Sequence, residues 1–276
     1  MRVLPVVLLV LLVAAGLGLQ QHLTRQIDLE GPHVLAAASD GGFYLATGTR
    51  LYRLDERERV VARYEAAQLG VGRFDSLLAG TQGRLWVYDS EARRVLACDL
   101  PVPCTPFDAG QTAFSANAIL AERPAGQGLL LSDNRHHRLQ ALDAQGQVQS
   151  HPLQTGWRFP NQISAWQGDW LLADTDRRQL IKVVADVQGR PVRRELFLQA
   201  EGRPYRFVVR PDGIWTVEAG LSLNDGQLYR YRDGRREAVP TGASDVGALI
   251  EVGGKLVLAS RQDWRVRGSD DAGGHW

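Results

Sequence analysis

Three short runs decide the fold: Phe159-Pro160-Asn161-Gln162-Ile163, then Trp170-Leu171-Leu172-Ala173-Asp174, then Gln179-Leu180-Ile181-Lys182-Val183-Val184. Each is about as long as a single strand, and polar turn residues separate them. The middle run is apolar along its length and ends in an acid, as a strand covered on both faces would be. The third mixes apolar with polar residues, as a strand nearer the solvent does.

The same plan recurs on either side. Upstream stand Asn117-Ala118-Ile119-Leu120, Leu129-Leu130-Leu131-Ser132-Asp133 and Arg138-Leu139-Gln140-Ala141-Leu142-Asp143. Downstream stand Phe207-Val208-Val209, Ile214-Trp215-Thr216-Val217-Glu218 and Gln227-Leu228-Tyr229-Arg230-Tyr231. Further copies begin at Val34, Ser76 and Ala248. Their period of about 40 residues is that of a four-stranded propeller blade. Turns such as Ser39-Asp40-Gly41-Gly42, Pro211-Asp212-Gly213 and Arg232-Asp233-Gly234 fall between the strands. The expected fold is all-β, a six-bladed β-propeller over residues 26–276. The last copy shows three strands, and Gln26-Ile27-Asp28-Leu29 is expected to supply its fourth and seal the ring.

An apolar run from Val3 to Leu19, behind Arg2, precedes the repeats. As a helix it spans roughly 26 Å, close to the ~30 Å hydrocarbon core of a bilayer. It is apolar on all sides, which an amphipathic core helix is not. Two readings stand: an uncleaved anchor, or a secretory signal with Ala14, Ala15 and Gly16 near the cleavage point. Residues 1–19 are thus the hydrophobic helix and 20–25 a linker. Either reading exports the repeats, to the periplasmic face of an inner membrane or to the periplasm itself.

Cys98 and Cys104 are the only cysteines, and Pro101 and Pro103 stiffen the short excursion between them. In an oxidising compartment the pair is expected to form a disulfide; two free thiols are the alternative. The 32 basic and 31 acidic residues leave a net charge of +1, so no long-range field draws in nucleic acid.

No complete catalytic motif appears: there is no His-Glu-x-x-His, no Gly-x-Ser-x-Gly and no phosphate-cradling glycine loop. Polar residues at the starts of the innermost strands should converge on a central funnel. These are His33, Asp75, Asn117, Asn161, Tyr205 and Asp245, with registration uncertain by a residue or two. His136-His137 sits in an expected exposed turn. The pairs Arg93-Arg94, Arg177-Arg178, Arg193-Arg194 and Arg235-Arg236 read as a solvated rim that protects sheet edges. Trp86, Trp170 and Trp215 read as core, Trp157 and Trp166 as more exposed.

Two families carry resemblances. Asp133-Asn134-Arg135-His136-His137-Arg138-Leu139, followed by Asp143-Ala144-Gln145-Gly146, resembles an NHL repeat, and Asp174 to Leu180 is similar. That implies a propeller that binds proteins, RNA or small ligands. Leu29-Glu30-Gly31-Pro32 and Pro160-Asn161 resemble segments of gluconolactonase-like propellers of the senescence-marker family. This resemblance implies a divalent metal, Ca²⁺ among others, held by Glu30, Asn117 and Asn161. The sequence departs from that pattern at Tyr205, where the family has an essential Asp, because a phenol does not replace a carboxylate base. The terminal octet Ser269 to Trp276 resembles a structural Asp-box. Without a complete site, the leading expectation is a scaffold subunit, with no cofactor, that meets an envelope or inner-membrane protein. A metal-dependent lactonase and a ligand sensor using the funnel are the alternatives.

Overall fold

The computed structural model describes residues 34–80, 83–107, 114, 118–220, 226–243, 245–260 and 264–267. Their strands form six antiparallel sheets. The first contains β1 (Val34–Ala37), β2 (Phe43–Ala46), β3 (Arg50–Leu54) and β4 (Val60–Glu65). The second contains β5 (Phe74–Ala79), β6 (Leu85–Asp89), β7 (Arg94–Cys98) and β8 (Thr105–Pro106). The third contains β9 (Ala118–Glu122), β10 (Leu129–Asp133), β11 (Arg138–Leu142) and β12 (Val148–Gln149). The fourth contains β13 (Pro160–Trp166), β14 (Asp169–Asp174), β15 (Gln179–Ala185) and β16 (Pro191–Gln199). The fifth contains β17 (Arg203–Arg210), β18 (Gly213–Ala219), β19 (Gln227–Arg232) and β20 (Arg235–Ala238). The last contains β21 (Val246–Val252), β22 (Lys255–Ser260) and β23 (Trp264–Arg267).

The first strands of successive sheets pack side by side: β1 on β5, β5 on β9, β9 on β13, β13 on β17, β17 on β21. Strand β21 returns to β1 and closes the ring. This is a β-propeller. Five sheets are four-stranded blades, where the repeats predicted six; the remaining sheet has three strands among the described residues. The expected sealing strand Gln26–Leu29, the hydrophobic helix over 1–19 and the octet 269–276 lie outside the described residues. No helix among the described residues is long and apolar enough to cross a membrane.

The apolar second strands are buried because neighbouring blades cover both their faces. All five residues of β10 are buried, as are the last five of β14 and of β22. The core is therefore distributed between blades. Leu130, Leu139 and Trp157 of the third repeat pack with Ile163, Trp170 and Leu172 of the fourth. Leu35, Phe43 and Tyr52 of the first pack with Ala248 and Val257 of the last, which joins the two ends of the ring. At about 25 cal/mol per Å² of apolar surface buried, these interfaces are the main stabilising term.

The acid at or next to the end of the second strand in the second to fifth sheets has a structural use. Asp89 accepts hydrogen bonds from the backbone N–H groups of Gly72 at 2.9 Å and Ala92 at 3.1 Å. Asp174 accepts from the N–H of Arg158 at 2.7 Å and from Arg177 at 2.9 Å. Glu218 accepts from the Tyr231 hydroxyl and from Arg236, both at 2.6 Å. Asp89 and Asp174 hold loops at one end of their blades, and Glu218 ties β18 to β19 and β20. Buried charge is tolerated there because donors surround it.

Cys98 and Cys104 are bonded as expected, beside β7. Two expectations are corrected. Trp157 is buried, at 4% exposure, with the Arg194 guanidinium 3.7 Å from its ring centroid. Arg194 also donates to the carbonyls of Gly156 and Thr155, so the loop folds over the tryptophan. Arg177, Arg194 and Arg236 are thus clamps and not merely a solvated rim. The exposed His136 and His137 are likewise engaged: His136 Nδ1 is 2.8 Å from an Asp133 carboxylate oxygen, and His137 Nδ1 accepts from the Phe159 N–H at 2.9 Å.

Candidate functional site

The first strands line a cavity of about 530 Å³ on the ring axis. That is ample for a small organic ligand. Its walls are mostly aliphatic, with Leu77, Ile119, Ile163, Val208 and Leu249 among them. The polar residues cluster towards the two ends of the strands.

The upper end holds Asp75, Gln162 and Arg206, each within the first few residues of its strand. The pairing of β5 with β6 shifts register between Phe74 and Ser76, and that of β17 with β18 between Pro204 and Arg206. Strand β13 shifts likewise between Pro160 and Ile163. A β-bulge of this kind breaks the alternation of side chains and re-aims the residues around it. It decides which residues face the axis.

The expected funnel residues therefore separate. Asp75 lines the cavity. Asn161 and Tyr205 instead lie buried between blades, while their neighbours Gln162 and Arg206 face the axis. Asn161 donates to the Thr175 hydroxyl at 2.7 Å and accepts from the Asn134 amide at 3.2 Å. The Tyr205 hydroxyl donates to the Val246 carbonyl in the next sheet. Asp245 precedes β21 and is not among the lining residues. His33, Asn117 and Glu30 lie outside the described residues.

Gln162 is largely occupied: its amide donates to the Phe207 carbonyl at 2.8 Å and accepts from the Phe207 N–H at 2.9 Å. It straps the fourth blade to the fifth. Arg206 donates to the Tyr205 carbonyl at 2.9 Å and lies over the Tyr205 ring. Burial pulls the Arg206 pKa down, and the nearby Tyr205 and Asp75 oppose that shift. Burial pushes the Asp75 pKa up to about 6, against the pull of the Arg73, Arg206 and Arg135 guanidiniums. Asp75 thus titrates close to neutrality, under the field of three cations. At the other end stand Glu122 and Glu251, with Glu122 accepting from the Trp86 indole at 3.4 Å.

Chemically this is a largely apolar cavity with one acid and one guanidinium at its upper mouth. Among the described residues, no group of three or more His, Cys, Asp or Glu side chains is placed to hold a metal. Asn161 does not fit the role of metal ligand, because its amide oxygen already accepts a hydrogen bond between blades.

The sequence matches no family model and no curated protein. Solved structures do match. A streptogramin B lyase superposes with a TM-score of 0.61 at 13% identity, covering 89% of this chain and 85% of that one. A gluconolactonase from Xanthomonas campestris gives 0.63 at 15%, covering 86% and 85%. A chain of a nidogen/laminin complex gives 0.57 at 15%, covering 83% and 86%. At these identities the likeness establishes the β-propeller fold alone.

Proposed function

We propose that this chain is a non-catalytic propeller, tethered at the inner membrane by residues 3–19 and facing the periplasm, that serves as an interaction subunit of an envelope assembly. The ring is read as six-bladed and of NHL type, with Gln26–Leu29 completing the three-stranded sheet. One observation carries the non-catalytic reading: Asn161, which corresponds to a metal-holding asparagine in gluconolactonase-like propellers, is buried and hydrogen-bonded to Thr175 and Asn134. Tyr205, at the place of that family's essential acid, spans two sheets through its hydroxyl. The disulfide suits an exported domain.

Affinity purification of the full chain from detergent-solubilised membranes tests the assembly. A stoichiometric envelope protein should co-purify, and recovery of the chain alone from gently solubilised membranes overturns the reading. The tether is tested by an alkaline wash, which should leave the full chain in the membrane fraction and release a variant lacking residues 3–19.

A metal-dependent lactonase is the second reading, favoured by the likeness of the ring to a gluconolactonase. A native-state metal site raises the melting temperature by mass action. Millimolar Ca²⁺ should leave the melting temperature of this chain unchanged. A rise that Asn161→Ala abolishes would favour the lactonase instead.

A further inference from the structure

We infer that the axial cavity binds a small amphipathic anion, its carboxylate-like group at Arg206 and its apolar body against the aliphatic walls below. This is a second capacity of the propeller, independent of the tether and of any protein partner.

Three features point to that chemistry. The walls supply apolar surface over about 530 Å³, which selects a body with few polar groups. The upper mouth places the Arg206 guanidinium with Asp75 on the cavity wall, and the charges of Arg73 and Arg135 also act on Asp75, which favours an anion at that end. The lower mouth carries Glu122 and Glu251 and repels an anion, which fixes the orientation of the ligand. Arg206 is the group that would hold the head. It lines the cavity, and its one hydrogen bond to protein among the described residues is to the Tyr205 carbonyl. A guanidinium has five N–H donors in a planar fork, so most remain for a bidentate acceptor. A bound carboxylate would also offset the cost of desolvating that charge.

Asp75 tunes the site. As a carboxylate beside Arg206 it competes with the ligand; once protonated it adds a donor and removes a repulsion. Among the described residues, the charged groups acting on it are Arg73, Arg206 and Arg135.

Isothermal titration of the full chain in detergent micelles tests the inference, with empty micelles as blanks. The probes are 2-naphthoate, its neutral amide and the cationic 2-naphthylmethylammonium. Naphthoate should bind one to one and at least about tenfold more tightly than the amide, and the cation should give no saturable heat. Arg206→Gln should weaken naphthoate by at least about tenfold, while Asp75→Asn should tighten it several-fold. Val208→Trp, which fills the cavity from its wall, should abolish binding and provides a test should Arg206→Gln fail to fold. Equal affinity for acid and amide, full affinity in a folded Arg206→Gln, or no heat at millimolar naphthoate would each overturn the inference.

Discussion

The Asn161 amide donates to the Thr175 hydroxyl at 2.7 Å, and that hydroxyl in turn donates to the Pro204 carbonyl of the next blade at 2.7 Å. Ser132 makes the same connection one blade earlier, donating to the Pro160 carbonyl at 2.6 Å. The ring is held by a relay of buried hydroxyls at the ends of second strands as well as by apolar packing.

Thr175→Val keeps the shape of the side chain and removes this link. It leaves the Asn161 amide and the Pro204 carbonyl each short of a partner in a buried setting. The expected loss is on the order of 2–3 kcal/mol in urea unfolding, since a stranded buried polar group costs about 1–3 kcal/mol. A change below about 0.5 kcal/mol would mean that water replaces the hydroxyl, and the relay would lose its structural role.

Asp75→Asn should stabilise the protein at pH 8 and do little at pH 4. The pKa of Asp75 is raised to about 6 by burial, so the folded state holds the proton more tightly than the unfolded chain. Its contribution is fully present below the ordinary carboxylate pKa and is lost as pH rises through 6. The gain on neutralisation is about 1–2 kcal/mol at pH 8 after solvent screening. Thermal melts of both proteins at the two pH values measure it.

The repeat was legible because burial on both faces forces a near-continuous apolar run, and β10 and β14 fall where those runs predicted them. Trp157 was misread for the opposite reason. Its cover comes from Arg194, 37 positions along the chain, a separation that local pattern does not reveal. Of the expected funnel residues Asp75 lines the cavity, and Asn161 and Tyr205 each precede a residue that does. Their position at the starts of innermost strands assigns Asn161 and Tyr205 to the axis, whereas the strands with register shifts, β13 and β17, present Gln162 and Arg206 there. Bulges of this kind leave little trace in composition.

Replacing both Cys98 and Cys104 with Ala should cost about 2 kcal/mol, the loop-closure entropy of a short ring. The fold should survive, because the bridge closes a loop of only six residues within one blade, and alanine keeps apolar contact with the cluster that both cysteines join between the first and second blades. Equilibrium unfolding of the variant and of the oxidised protein measures the difference. Complete loss of cooperative unfolding would instead place the bridge among the elements on which the ring depends.

His151 gives the chain a built-in acid sensitivity. It is buried just past β12, and neither ring nitrogen makes a hydrogen bond of normal geometry among the described residues. Burial pushes its pKa down to about 4, the Arg123 charge pushes the same way, and the Leu139 backbone opposes them. In the unfolded chain the imidazole takes up its proton near pH 6.5, whereas in the folded protein it stays neutral until about pH 4. Its contribution to stability is therefore fully present above the unfolded pKa and is lost as pH falls from about 6.5 to 4. The loss is on the order of 1–2 kcal/mol after solvent screening. His151→Leu removes that titration and leaves every carboxylate in place. The stability of wild type should fall more steeply than that of the variant between pH 7 and pH 4, and urea midpoints at half-unit intervals would reveal it. Parallel curves for the two proteins would show that the imidazole is solvated in the folded state and that the acid sensitivity originates elsewhere.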